Sequence, residues 1–383
     1  MKRLSIVFLL IVAMTGSYAQ KGKVTSALNY ITINKYEDAL KAIEAAENHE
    51  KSTGWFRTYY AKGRVMQAIA ESGDQALIEK VGNPLKQAYD NYMKAIDMDP
   101  KKKIGREIDL YVASLTNDFI NQGIEHFNTN NYTEAYESFK HAVKLGEMPV
   151  FKGAIDTSII YNAGLAAYNG KLYDESIQYF DKVALMGYED VMPFILIKNA
   201  YLAKGDSAMA LQKIQQGFEK YPDNQNIMIE LINFYLLSGK DDEALKYLDL
   251  AIERDPTNGS FYYARGVVFD RRGMFNEAVE LYTKALELNP DDFNTNFNMG
   301  VIQYNKGVKM ANDANEIMDN NEYLKAKALA DEQFKKALPY LEKANQIEPS
   351  ETSTMETLKT LYWRLQMTKE YDEIVKKLED VKK

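Results

Sequence analysis

Cysteine is absent from the 383 residues, so neither disulfides nor thiolate metal sites hold this chain together. Histidine is nearly absent too: His49, His126 and His141 are the only three, and none sits in a His-Glu-x-x-His arrangement. His126 and His141 fall on the two helices of one expected hairpin, where a packing role accounts for His126 better than a metal does. No Gly-x-Ser-x-Gly elbow occurs, and Gly239-Lys240 lacks the upstream glycine of a phosphate loop. Basic runs are short, none longer than Lys101-Lys102-Lys103 in a chain of net charge −8, which argues against a nucleic-acid partner. Beyond the first residues no apolar run is long enough to cross a bilayer. These absences predict no catalytic residue, no cofactor and no metal.

What is present begins with an export signal. Lys2 and Arg3 precede the apolar run Leu4 to Met14, and Ser17-Tyr18-Ala19 place small residues where a signal peptidase cuts. Cleavage is expected between Ala19 and Gln20. It removes two positive charges and no acid, leaving a net charge of −10 on an exported, periplasmic or cell-surface chain without a transmembrane segment.

The rest of the chain is 46% hydrophobic and 27% charged, with nine prolines over its whole length, a composition that favours packed helix. It also repeats. Ala210, Ala244 and Ala278 are 34 residues apart, as are Pro222, Pro256 and Pro290, and Gly205, Gly239, Gly273 and Gly307. Ala244 leads to Leu248, Ala251 and Pro256; Ala278 leads to Tyr282, Ala285 and Pro290. Spacings of four and three put these side chains on one helix face, where small residues admit a neighbouring helix and the large one fills the gap. Proline then stops the helix. Glycine before Asp206 or Asp241 turns the chain into the second helix of a hairpin. The same register is found at Ala39-Ile43-Ala46, Ala88-Tyr92-Ala95, Ala135-Phe139-Ala142, Ser176-Phe180-Val183 and Ala337-Leu341-Ala344.

This pattern closely resembles the tetratricopeptide repeat, most clearly from Tyr262 through Gly266, Phe269, Gly273, Ala278, Tyr282 and Ala285 to Pro290, with Arg265 where that family usually has leucine. The resemblance implies an all-α fold, a right-handed superhelical solenoid of stacked antiparallel hairpins. The expected organisation is a signal peptide over 1–19, then N-terminal hairpins with one insertion over 20–150. Regular repeats follow over 151–292, then a hairpin with an extension over 293–349, and capping helices over 350–383. The Gly300–Ala337 interval exceeds Gly266–Ala278 by 25 residues while keeping helical character. Both of its helices should therefore run several turns further and join near Asp319-Asn320-Asn321, as a contact arm or as a tolerated extension. Pro339 should kink or restart the second.

In the family that is resembled, partner peptides lie along the first helix of each hairpin. The corresponding stripe here carries Tyr161, Tyr168, Asn199, Leu202, Asn233, Leu236, Tyr263, Asp270, Phe297 and Tyr304. Asparagine can pair with both the donor and the acceptor of an extended peptide backbone, and tyrosine offers broad contact area. The competing reading is that these aromatics pack between hairpins. Ile195 and Ile229 stand where a clamp for a terminal carboxylate would need lysine. The reading favoured is a non-catalytic scaffold of the bacterial envelope that binds peptide segments of other proteins. The alternative is a carbohydrate- or cell-wall-binding protein using exposed aromatics such as Trp55.

Overall fold

A computed structural model describes residues 21–153 and 156–381. The expected signal peptide lies outside the described residues. The chain divides into two compact units, one reaching to Gly217 and one starting at Phe218. Both are built only of helices and turns in their described residues.

The first unit starts with α1 (21–32), α2 (Tyr36–Glu47), the short α3 (Glu50–Thr53) and α4 (Phe56–Ser72). The first insertion is a separate short helix, α5 (Gln75–Val81), capped by Asp74 and packed on α4. Next come α6 (Pro84–Asp97), α7 (Gly105–Asn128), α8 (Tyr132–Gly146), α9 (Thr157–Asn169), α10 (Tyr173–Met186), α11 (Met192–Ala203) and α12 (Ser207–Lys220). Helix α8 packs on both α7 and α9, and α10 on both α9 and α11, so each second helix is shared by two first helices. That sharing makes the array a stack, in which each hairpin buries a face it could not bury alone.

The second unit repeats the scheme with α13 (Gln225–Leu237), α14 (Asp241–Arg254), α15 (Gly259–Arg271), α16 (Phe275–Leu288), α17 (Phe293–Asn315), α18 (Asn320–Ile347), α19 (Thr352–Arg364) and α20 (Thr368–Val381). Every alanine–large–small triplet read from the sequence is buried: Ala244, Leu248, Ala278 and Tyr282 have no exposed surface, nor have Ala88, Tyr92, Ala95, Ala337 and Leu341. Ser176 takes an alanine position in α10, and its buried hydroxyl has no partner among the described residues. The large residue of the second helix lies against the glycine of the first. A Cβ on Gly266 would come within 2.6 Å of the Tyr282 ring, and one on Gly63 within 2.5 Å of Tyr92.

Hairpin turns use the left-handed conformation at Gly205, Gly239 and Gly273, with φ of 78°, 65° and 72°. Gly307 keeps their spacing but does another job. It lies inside α17, where its missing side chain makes room for the ring of Phe334. The extension thus continues straight through the position where other hairpins turn. Its helices are 23 and 28 residues long and meet at Asp319, whose carboxylate accepts from the amides of Asn321 and Glu322 at 2.9 Å. Pro339 neither stops nor restarts α18, which runs unbroken past it. Its ring removes one backbone hydrogen bond, a loss that the buried Phe334, Ala337, Leu341 and Ala344 of the same helix offset by packing.

Ion pairs bind successive hairpins within each unit. Arg271 and Arg272, at the end of α15, reach Asp241 and Asp242 in the first turn of α14, and Lys204 reaches Asp174 in the same way. Acid at a helix start and base at a helix end both complement the helix dipoles. Exposed to solvent on at least one side, such pairs align neighbouring hairpins more than they stabilise them.

Candidate partner-binding faces

In α9, α15 and α17 the stripe residues lie three before and four after the packing glycines Gly164, Gly266 and Gly300. Helices α11 and α13 have no glycine, and there Leu202 and Leu236 keep the offset of four while Asn199 and Asn233 stand one residue past the aligned positions Lys198 and Ile232. In the first unit Tyr161 of α9 packs at 5.6 Å from Phe180 and 5.7 Å from Tyr188, and Tyr168 meets Tyr173 edge-on at 6.0 Å. Burial pushes both tyrosine hydroxyls above their ordinary pKa. Asn199 is half-buried on α11, with Leu202 exposed one turn further on. In the second unit Asn233 is exposed on α13, Phe297 stacks on Phe293 at 6.0 Å, and Tyr304 lies 5.5 Å from Phe334. Among the described residues neither Asn199 nor Asn233 has a side-chain hydrogen-bond partner.

Tyr263 and Asp270 belong to a network. Tyr263 stacks on Tyr282 at 5.8 Å, and Asn298 of α17 donates to both hydroxyls, at 3.4 Å and 3.3 Å. The Asp270 carboxylate lies close enough to the Tyr282 hydroxyl to feel it. Burial holds that carboxyl above the usual carboxylate range, and the nearby Tyr282 hydroxyl only partly offsets it. The aromatic members of the stripe are thus largely engaged in packing inside their own hairpins. Among the described residues the two asparagines keep their polar groups unpaired.

Sequence reasoning missed a second network of the same kind. Around Gly63 the stripe positions are Tyr60 and Gln67. The fully buried Gln67 accepts from Tyr92 at 2.7 Å and donates to Asp118 of α7 at 2.8 Å, while Tyr60 donates to Glu107 at 2.8 Å. Arg64 lies beside Gln67 and stacks its guanidinium 3.4 Å over the Tyr111 ring. The signal was available, since applying the Gly266 offsets to Gly63 gives Tyr60 and Gln67 directly.

His126 and His141 do come to one place, a cavity of about 330 Å³ shared with Phe119, Gln122 and Ser138. His141 is occupied there, stacked on Phe119 at 4.9 Å and edge-on to Tyr89 at 4.8 Å. Among the described residues no group of three or more His, Asp or Glu side chains is placed to hold a metal ion. No helix among them is long and apolar enough to cross a membrane.

Two family models match the chain: a tetratricopeptide repeat over residues 201–266 and a TPR repeat over residues 271–307. No curated protein matches it. Among solved structures, it is similar to the C-terminal part of a TPR repeat-containing protein from Cytophaga hutchinsonii, at 15% identity and TM-score 0.47, over 68% of this chain and 95% of that one. A TPR repeats protein from Bacteroides fragilis is similar at 24% identity and TM-score 0.31, over 64% and 97%. YrrB, described as a TPR protein with an unusual peptide-binding site, is similar at 20% identity and TM-score 0.35, over 53% and 95%. With its 34-residue period, its shared second helices and these two matches, the chain carries tetratricopeptide repeats, units that serve as scaffolds for protein–protein interaction.

Proposed function

We propose that this protein is an exported, non-catalytic adaptor of the bacterial cell envelope that holds extended peptide segments of partner proteins on the first helices of its hairpins. The observation that carries the reading is the pair Asn199 and Asn233. Each is a stripe amide with a donor and an acceptor and no side-chain partner among the described residues. Each also stands where the repeat sets it, 34 residues from the other. The stripe tyrosines of other first helices, held by packing, supply rigid contact area at low entropic cost. Export is supported by Lys2-Arg3, the apolar run to Met14 and the small residues ending at Ala19. Net negative charge and short basic runs favour protein over nucleic-acid partners.

The test is retention of envelope proteins by the chain from Gln20, compared with the double change Asn199→Ala plus Asn233→Ala. The expected result is a partner that wild type retains and the variant, with unchanged helicity and melting temperature, loses. Crosslinking of that partner to a photoreactive residue at position 233 should place it on α13. Equal retention by both chains would overturn the assignment.

A further inference from the structure

The extension of α17 and α18 raises a question that the peptide reading does not answer, namely what its additional turns are for. Residues 308–332 do not stand free of the unit. They form one wall of a cavity of about 430 Å³, and the opposite wall is the end of α19 with the turn after it. Ala311, Ala314, Asn315, Tyr323 and Lys327 come from the extension, Trp363 and Arg364 from the end of α19, and Gln366 from the turn. Phe334 and Ala314 are buried there and close the apolar side. A 34-residue hairpin would contribute none of the first wall, so the cavity exists because of the insertion.

Two properties of the lining define its chemistry. Trp363 is 68% exposed and its indole has no aromatic neighbour among the described residues, unlike Trp55, which is half-buried against Phe56. With Tyr323 it offers an uncovered aromatic surface at the junction of two helix ends. Around it stand Asn315, Lys327, Asp331 and Gln366, which among the described residues form no side-chain hydrogen bond or ion pair. Gln366 holds the turn with φ of 57°, where Gly205, Gly239 and Gly273 serve in regular hairpins. A left-handed glutamine is strained relative to glycine, and the position keeps an amide at the cavity.

We propose that this cavity is a carbohydrate-binding site. A pyranose ring has an apolar C–H face suited to an indole and a rim of hydroxyls that donate and accept at once. Asp331 accepts, Lys327 and Arg364 donate, and the amides of Asn315 and Gln366 do both. The volume is at the small end of the ~300–1,000 Å³ of small-molecule sites, which suits a short saccharide. A peptide ending in a carboxylate fits less well, because Asp331 would oppose it and no row of groups is available for a peptide backbone. The site shares no residue with the asparagine faces, so the two assignments fail separately.

The test uses the full exported chain with Trp55→Phe, which leaves Trp363 as the sole tryptophan. Its fluorescence is followed during titration with maltotriose, cellotriose, xylotriose, mannotriose and chitotriose, and with tri-glutamate as the peptide probe. The expected result is a saturable change with at least one saccharide and none with tri-glutamate. That affinity should fall about tenfold in Asp331→Ala and in Tyr323→Ala, both surface changes that leave the circular dichroism intact, and stay unchanged in Asn233→Ala. No response to any saccharide, a response that survives both changes, or a response to tri-glutamate alone would each overturn the proposal.

Discussion

Two tyrosines at equivalent positions, Tyr92 in the first unit and Tyr282 in the second, solve one packing problem with different polar chemistry. Each ring lies on the glycine of its first helix, and the residue four positions past that glycine lies by its hydroxyl: Gln67 accepts from Tyr92 at 2.7 Å, and Asp270 is near enough to Tyr282 to feel it. Around Tyr92 that residue is a fully buried, neutral amide, Gln67, and the charge is displaced to Asp118 and Arg64. Around Tyr282 it is a half-buried carboxylate, Asp270, with Asn298 as the neighbour and no cation of the Arg64 kind in the network. A stack tolerates a polar group between hairpins in either way. The deeper position takes the amide, because an uncompensated buried charge costs several kcal/mol.

The largest effect that tests this comparison is steric. Gly63→Ala and Gly266→Ala each drive a methyl into a fully buried ring, for a net loss of about 1–3 kcal/mol read from thermal or urea unfolding. A neutral outcome at either position would show that its tyrosine can swing aside. Next in size, Tyr92→Phe takes a donor from a fully buried amide and should cost about 1–2 kcal/mol. Tyr282→Phe should cost less, about 0.5–1 kcal/mol, because water can replace the hydroxyl at half-buried Asp270. An equal or reversed order would remove the distinction between the two networks.

The smallest effect depends on pH. The carboxyl of Asp270 titrates above its ordinary value because burial disfavours the ion, so the folded chain binds more protons than the unfolded chain just above the usual aspartate range. Stability contributed at this position is therefore greatest in acid and falls as pH rises from about 4 through the folded-state value. Asp270→Asn keeps an acceptor for Tyr282 and removes the titration. Its melting temperature should gain on wild type as pH rises from about 4 to about 6, and a constant difference would refute the burial account.

The sequence by itself determined the repeat, the helix faces and the buried register, down to Ala244, Leu248, Tyr282 and Leu341. A side chain's place on a helix follows from spacing alone, and burial of the small–large–small face is common to every hairpin. It also located the join of the extended hairpin, since Asp319 caps a helix by a local hydrogen bond. Tertiary structure alone decided which stripe residues remain available. Periodicity orients a side chain without saying which neighbouring helix approaches it, so Tyr263 and Asn233 read alike although one is held by Tyr282 and the other is exposed. The same limit hid the second role of Gly307, whose spacing matches a turn while its helix continues past it. It also hid the cavity at Trp363, whose walls are 36 to 55 residues apart in sequence and meet only because α17 and α18 are long enough to reach the end of α19.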